Sequence, residues 1–382
     1  MRLILSVLSA LLLTVFAADP TSGWPAPGLQ RQFGPGVCGP VDPVYLESAT
    51  ETGGQPFFLS RAEVMKSARI MGASSQSELM LWASGRGEKT YTVSVDPSVE
   101  RATFSASFDA AGGTLTVTSP QGVEVRQDER TEDTLLNCGR VITIDKPAVG
   151  AWQLRLKPSG RFWLAAKAKS ELSLTATEFV QRGGRPGHEG LFRIEGQPIA
   201  GRPAMLRVRL SSAAKNPTFG MVSVDAHLLQ TVNLKPIGDE EFVGRVTLPD
   251  EPFRVVVTGL DESGAQFQRI FAALFHAAVI EVIPPTLDTL VAGTTTPIVF
   301  TIRNLGPAVN LTLVASDGRG KIVPVEPPIL QLDSGSEGAA TVRLAVPADA
   351  LSESEASVLL TASSDHSSST NYARKQLTVT RK

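Results

Sequence analysis

The chain has 382 residues, 42% of them hydrophobic, 19% charged and 6% aromatic, with a formal net charge of −2. That is ordinary for a globular protein with a real core, and long enough for about two to four domains. The near-neutral balance, sparse rings and absence of a basic tract argue against nucleic acid or an anionic membrane surface as partner.

The N-terminus has the form of a secretory signal peptide over residues 1–17. Arg2 precedes an apolar run from Leu3 to Phe16, and Ala17, Ala18, Asp19 and Pro20 follow. Val15 and Ala17 suit the positions before a cut, so cleavage is expected after Ala17, with Ala18 the neighbouring alternative. The run is shorter than the ~20 apolar residues of a membrane span. No later stretch qualifies, so no span is expected after signal removal. The expected location is outside the cytoplasm: secreted, extracellular or periplasmic. Residues 18–40, rich in Pro and Gly, read as an extended tail.

Residues 41–85 hold the helical signal. Val41 to Leu46 suggests a short strand and Thr52-Gly53-Gly54 a turn. Ser60 to Met71 predicts a helix, with Ser60 and Glu63 spaced as a capping box. From about Glu88 the hydrophobic period changes to two: Tyr91, Val93 and Val95 alternate with Thr92 and Ser94, and Phe104, Ala106 and Phe108 with serines. Short alternating runs divided by Gly, Pro, Asp and Asn predict half-buried antiparallel strands. The Gly-rich stretch 181–190 and Pro284-Pro285 divide them into three blocks, 86–180, 187–278 and 279–382. The expected fold is mainly β: tandem immunoglobulin-like sandwiches behind a small N-terminal α/β remnant, with one large barrel as the alternative.

Chemistry-bearing motifs are scarce, and no enzyme is expected. There is no Gly-x-Ser-x-Gly elbow, and Gly318-Arg319-Gly320-Lys321 lacks P-loop spacing. Asp239, Glu240 and Glu241 suggest a solvated turn. Asp365-His366-Ser367-Ser368-Ser369 matches a metal-binding Asp-x-Ser-x-Ser string, but a Mg²⁺ site draws oxygen ligands from several loops, so a polar hairpin loop is the expected reading. The four histidines have no ligand spacing, and no metal or other cofactor is expected. The two cysteines, Cys38 and Cys138, could form a disulfide in an oxidising compartment, remain separate thiols, or pair with another chain. Asn310-Leu311-Thr312 is a glycosylation sequon if the host is a eukaryote. Trp24, Trp82, Trp152 and Trp163 form no spaced stacking platform.

Four groups of residues occur in a telling order. Gly36-Val37-Cys38-Gly39 comes first, with Val44-Tyr45 and Gly53-Gly54-Gln55-Pro56-Phe57 after it. Tyr91-Thr92-Val93 with Asp96-Pro97-Ser98-Val99 leads to Ser119-Pro120-Gln121-Gly122. Leu135-Leu136-Asn137, Lys146-Pro147 and Gly150-Ala151-Trp152 follow, then Val257-Thr258-Gly259-Leu260-Asp261 with Phe267-Gln268-Arg269. This series resembles hemicentins and related von Willebrand factor A domain-containing proteins, from the end of the A domain into the sandwiches after it. The resemblance implies an adhesion or protein-interaction module. The metal-binding half of an A domain has no counterpart, so the family's cation site does not carry over. The alternative is a carbohydrate-binding or accessory module of an extracellular enzyme system. The protein partner and the oligomeric state are not legible in the sequence.

Overall fold

The computed structural model describes residue 38 and residues 42–74, 78–184, 187–238, 240–364 and 370–381. Ala17, Ala18, Asp239 and the Asp365–Ser369 string lie outside the described residues. Strand dominates, as the period-two runs require, and the chain divides into two compact units. One holds the described residues up to Thr177 with Arg207–Gly244 and Phe253–Leu274. The other holds Glu178–Leu206, Arg245–Pro252 and the described residues from Phe275. The units therefore cut across the 187–278 block instead of following three consecutive blocks.

The first unit opens on a helix, α1 (Pro43–Thr52), where a strand was expected over Val41–Leu46. The capping residues explain it. Asp42 accepts a hydrogen bond from Val44 N at 3.0 Å, Pro43 occupies the first turn, and Gly53 closes the helix in the left-handed region at φ 69°. Gly53 has a second constraint, since a Cβ there would meet Ala272 O at 2.6 Å. The helix buries none of its own residues, which is why no apolar stripe announced it. The capping box forms as predicted, but it starts a 3₁₀ turn, Arg61–Lys66, that passes into α2 (Ser67–Ser74).

The first sandwich begins at Glu78, inside the stretch read as the remnant. Its strands are β1 (Glu78–Arg86), β2 (Lys89–Val95), β3 (Val99–Phe108) and β4 (Thr114–Thr118), then β5 (Thr131–Leu136), β6 (Gly139–Asp145), β7 (Gly150–Lys157) and β8 (Arg161–Ser170). They form a five-stranded sheet, β1-β8-β3-β6-β5, and a three-stranded sheet, β2-β7-β4, all antiparallel. Phe104, Phe108, Trp152, Leu154, Leu156 and Phe162 fill the space between them.

In β3 the alternate residues Ser105 and Ser107 are buried too, because the segment after α1 covers the sheet's outer face. There Gln55 Nε2 donates to Ser105 O at 3.0 Å and to Trp163 O at 3.1 Å. Trp82 Nε1 donates to Gly54 O at 2.8 Å, and the Phe58 and Trp163 rings lie 5.5 Å apart. Farther along, Glu63 ties the 3₁₀ turn to the β5–β6 turn. Its carboxylate accepts from Ser60 N at 3.0 Å, Ser60 Oγ at 2.7 Å and Asn137 N at 2.7 Å.

Burial pushes the Glu63 carboxyl up, but the hydrogen bonds from Ser60 and Asn137 outweigh it, and the net result lies below the ordinary value. A depressed folded-state pKa stabilises the fold above the unfolded pKa, and that contribution fades as pH falls through the folded value. Glu63→Gln should therefore cost about 1–3 kcal/mol at neutral pH. The gap to the parent should close below about pH 4. Thermal unfolding of both proteins across pH checks it, and a gap independent of pH would refute the charge argument.

The same unit contains β12 (Lys215–Val222), β13 (Leu228–Val232), β16 (Arg254–Leu260) and β17 (Gln266–Ile270), ordered β13-β12-β16-β17 in one sheet. Numbered in chain order, β9 (Leu174–Gly183), β10 (Gly190–Arg193) and β11 (Ala204–Leu210) precede them, and β14 (Lys235–Pro236) and β15 (Glu241–Val246) lie between β13 and β16. β9 and β10 pair antiparallel, with Leu191 opposite Arg182 and Phe192 opposite Gln181, at the two ends of the Gly-rich stretch where an interdomain joint was expected. Glycines at positive φ suit a hairpin and a linker equally, so composition alone could not separate them.

The second unit carries the immunoglobulin-like sandwich. Its strands are β18 (Ile280–Ile283), β19 (Thr289–Val291), β20 (Thr295–Asn304), β21 (Val309–Asp317), β22 (Ile322–Val323), β23 (Val325–Glu326), β24 (Ile329–Leu332), β25 (Glu337–Ala345), β26 (Glu355–Ser363) and β27 (Asn371–Thr380). One sheet runs β18-β20-β25-β23 and the other β19-β27-β26-β21-β22, with β24 also on β21. β19 runs parallel to β27, while the other pairings among the described strands of this sandwich are antiparallel. Ile298, Phe300, Ile302, Leu311, Leu313, Val342, Val358 and Leu360 form its core, as their alternation predicts.

Candidate functional site

Two constructions stand out, one in each unit. In the first unit, charged side chains act as internal fasteners. Arg269 of β17 and Asp96, in the turn after β2, are both fully buried, with Nη2 and Oδ2 2.8 Å apart as an ion pair. Arg269 also donates to Leu172 O at 2.8 Å, Gln268 O at 2.8 Å and Ser170 Oγ at 2.7 Å, while Asp96 Oδ1 accepts from Ser98 N at 3.1 Å. Arg254 of β16 stacks on Trp82, 4.1 Å from the ring centroid, and donates to Ala272 O at 3.0 Å and to Thr50 O. Burial pushes its guanidinium down to about 10, with Glu51 opposing, so it stays cationic at neutral pH. Val222, Val256 and Ile270 join the first sandwich's apolar cluster, so the β13-β12-β16-β17 sheet shares a core with it.

Cys38 and Cys138 are joined by a disulfide, with Cα atoms 6.0 Å apart, and both are buried in that core. The bond fixes the chain before α1 to the β5–β6 turn. These groups are bonded to protein partners, and their work is structural.

In the second unit the wall of β9, the segment from Ile194 to Met205, β18 and the start of β27 enclose a cleft of about 1050 Å³. Its frame is rigid for stated reasons. Ala200 N donates to Ala278 O at 2.9 Å and Ala278 N to Pro198 O at 2.8 Å. Asn371, 3% exposed, accepts from Gln197 N at 2.8 Å and donates to Ile280 O at 2.8 Å. Gly196, at φ 75°, permits that approach, because a Cβ there would meet Asn371 Oδ1 at 2.2 Å. Arg202 grips Glu281, its Nη2 2.9 Å from Oε2, and Arg303 Nη1 reaches the same oxygen at 3.0 Å.

The cleft lining mixes apolar side chains (Phe179, Ile194, Met205, Val282) with four arginines, Arg182, Arg202, Arg245 and Arg374, against two glutamates, Glu195 and Glu281. Arg182, Arg245 and Arg374 are exposed and have no carboxylate in ion-pair reach among the described residues. Among the described residues, no serine, cysteine, histidine or aspartate lines it. Among the described residues, no three His, Cys, Asp or Glu side chains converge as a metal site.

Of the other sequence-derived residues, Asn310 lies on β21 with its side chain exposed. Glu241 accepts from Arg209 at 3.1 Å on β15. Trp82, Trp152 and Trp163 are core. The cleft arginines were not singled out by sequence, since four positions spread over 192 residues show no spacing until the strands align them.

Among known families, the hemicentin galactose-binding domain-like model matches residues 78–171, which is the first sandwich from the first residue of β1. The VWA7 Ig-like domain matches residues 280–381, the sandwich that starts with β18. Mouse hemicentin-1 is 24% identical over 264 residues, covering 65% of this chain and 5% of its own length. The resemblance is to the hemicentins. Human hemicentin-1 is 22% identical over 250 residues, 62% of this chain and 4% of its own. The hemicentin-like chain thus spans about a twentieth of the length of these relatives. Among solved structures, a DUF4785 family protein from Legionella pneumophila aligns at 12% identity, covering 81% of this chain and 95% of that one, with a TM-score of 0.43. No helix among the described residues is long and apolar enough to cross a membrane.

Proposed function

We propose that the chain is an exported, non-catalytic interaction module of the adhesion type, whose β-sandwich domains follow a signal peptide cleaved after Ala17 or Ala18. The carrying observation is the cleft of the second unit. It offers charge, apolar surface and hydrogen-bonding groups for recognition, while Glu281 is already held by two arginines. The other glutamate, Glu195, is exposed, with no second carboxylate or base paired with it among the described residues. Proton transfer in a reaction needs a positioned acid or base free to exchange its proton. Supporting evidence comes from the disulfide, which suits an oxidising compartment, and from the similarity to hemicentins. A glycan-binding role is the weaker reading, because a sugar face favours a row of exposed rings. Here Phe179 is buried and Tyr372 stands half-buried.

The test is parallel presentation of the immobilised chain to a panel of purified extracellular proteins and to a glycan array. Retention of a protein ligand is the expected result; retention of glycans alone would transfer the assignment to the carbohydrate reading.

The same proposal excludes a cation-dependent A-domain site. A ligand that binds only the native state raises the melting temperature, and does so more as its concentration exceeds its dissociation constant. Millimolar Mg²⁺, Ca²⁺ or a chelator should therefore leave the melting temperature where it is. A rise of several degrees with either ion would reveal a site this account omits.

A further inference from the structure

We infer that the cleft walled by β9, the Ile194–Met205 segment, β18 and β27 is the recognition site for an acidic, partly apolar peptide segment of a protein partner. The inference rests on the interaction-module reading and names its ligand chemistry. Charge supplies the first argument. The whole chain is slightly acidic, at −2, yet this cleft collects four arginines against two glutamates. Arg202 is consumed by Glu281, which Arg303 also holds. Arg182, Arg245 and Arg374 are left with exposed guanidinium groups and no acidic partner among the described residues. Three cations converging on one concavity repel one another, and a ligand carrying carboxylates relieves that repulsion while taking paired hydrogen bonds from each fork.

The apolar part of the lining decides the ligand class. Ile194, Met205 and Val282 stand beside the arginines. A sulfated glycan has charges for the guanidinium groups, but its sugar C–H faces pack on flat exposed rings more than on these aliphatic side chains. A peptide alternating carboxylates with an aliphatic residue satisfies both. Preorganisation supplies the third argument: Asn371, Gly196 and the Arg202–Glu281 pair already fix the walls, so little ordering is left to oppose binding.

The test uses the full chain and three probes: a short fluorescent peptide of glutamate, aspartate and leucine, its counterpart with glutamine and asparagine for the acids, and a heparin oligosaccharide. The acidic peptide should bind at least about tenfold tighter than the neutral one, the factor expected from one charge-assisted hydrogen bond, and should weaken with added salt. Arg182→Ala/Arg245→Ala/Arg374→Ala should lower the affinity by at least the same factor with an unchanged melting temperature. Arg343→Ala, an exposed arginine outside the cleft, should leave binding unchanged. Equal binding of both peptides, or an unaffected triple variant, overturns the inference. Heparin bound through these three arginines with no binding of the acidic peptide also overturns it, in favour of a glycan. The two readings fail separately: if the triple variant still retains the extracellular protein that the parent retains, the cleft assignment falls and the module reading stands.

Discussion

Arg269→Met is expected to destabilise the first unit by about 3–5 kcal/mol, the usual cost of stranding one member of a buried ion pair. The variant keeps most of the side chain's volume and removes its charge. Asp96 would then be a carboxylate with no solvent exposure and no countercharge, keeping only its Ser98 contacts. The Leu172 and Gln268 carbonyls and the Ser170 hydroxyl would lose their donor at the same moment. At the scale of a 150–250-residue unit, the loss corresponds to a melting temperature lower by roughly 10 °C.

Asp96→Asn/Arg269→Met distinguishes charge from packing. Asparagine can still accept from Ser98 N, and the stranded charge is gone. The double variant should therefore regain a substantial part of the loss, with a coupling in the range of ~0.5–3 kcal/mol found for contacting residues. Thermal or urea unfolding measures both variants. A loss below ~1 kcal/mol for Arg269→Met would mean that the pair does not hold β17 to the first sandwich.

The disulfide carries the second large effect. Cys38→Ser/Cys138→Ser should cost about 4–5 kcal/mol, because the bond closes a loop with a sequence separation of 100 and thereby restricts the unfolded chain. In the native state the bond also anchors the chain entering α1, and through it the Gln55–Phe58 segment that covers Ser105 and Trp163. Reduction of the parent protein should reproduce the variant's melting temperature. Identical midpoints with and without reductant would show that apolar packing alone secures this segment.

The strands were legible because half-buried sheets write their pattern into sequence. Val93 and Val95 of β2, and Ile298, Phe300 and Ile302 of β20, alternate with more exposed residues and point inward as expected. The same rule misjudged β3, where Ser105 and Ser107 occupy the polar phase yet are buried under the segment from α1. No local pattern foretells a cover that arrives from 50 residues away. Helix α1 was missed for a related reason: it buries no residue fully, so its only signs were Asp42, Pro43 and Gly53. The β9–β10 pairing joins strands across a stretch with the composition of a linker. Nothing in the local sequence marks Arg254 and Arg269 as buried, and only their depth in the fold makes them fasteners. The cleft arginines were the least legible, since β9, β15 and β27 bring them together from distant parts of the chain.

The most direct test of the central claim is capture of extracellular proteins by the immobilised chain, measured side by side in Mg²⁺ and Ca²⁺ and in excess chelator. The account predicts a protein ligand retained to the same extent in both buffers. Capture abolished by the chelator, or no protein retained in either, would contradict it.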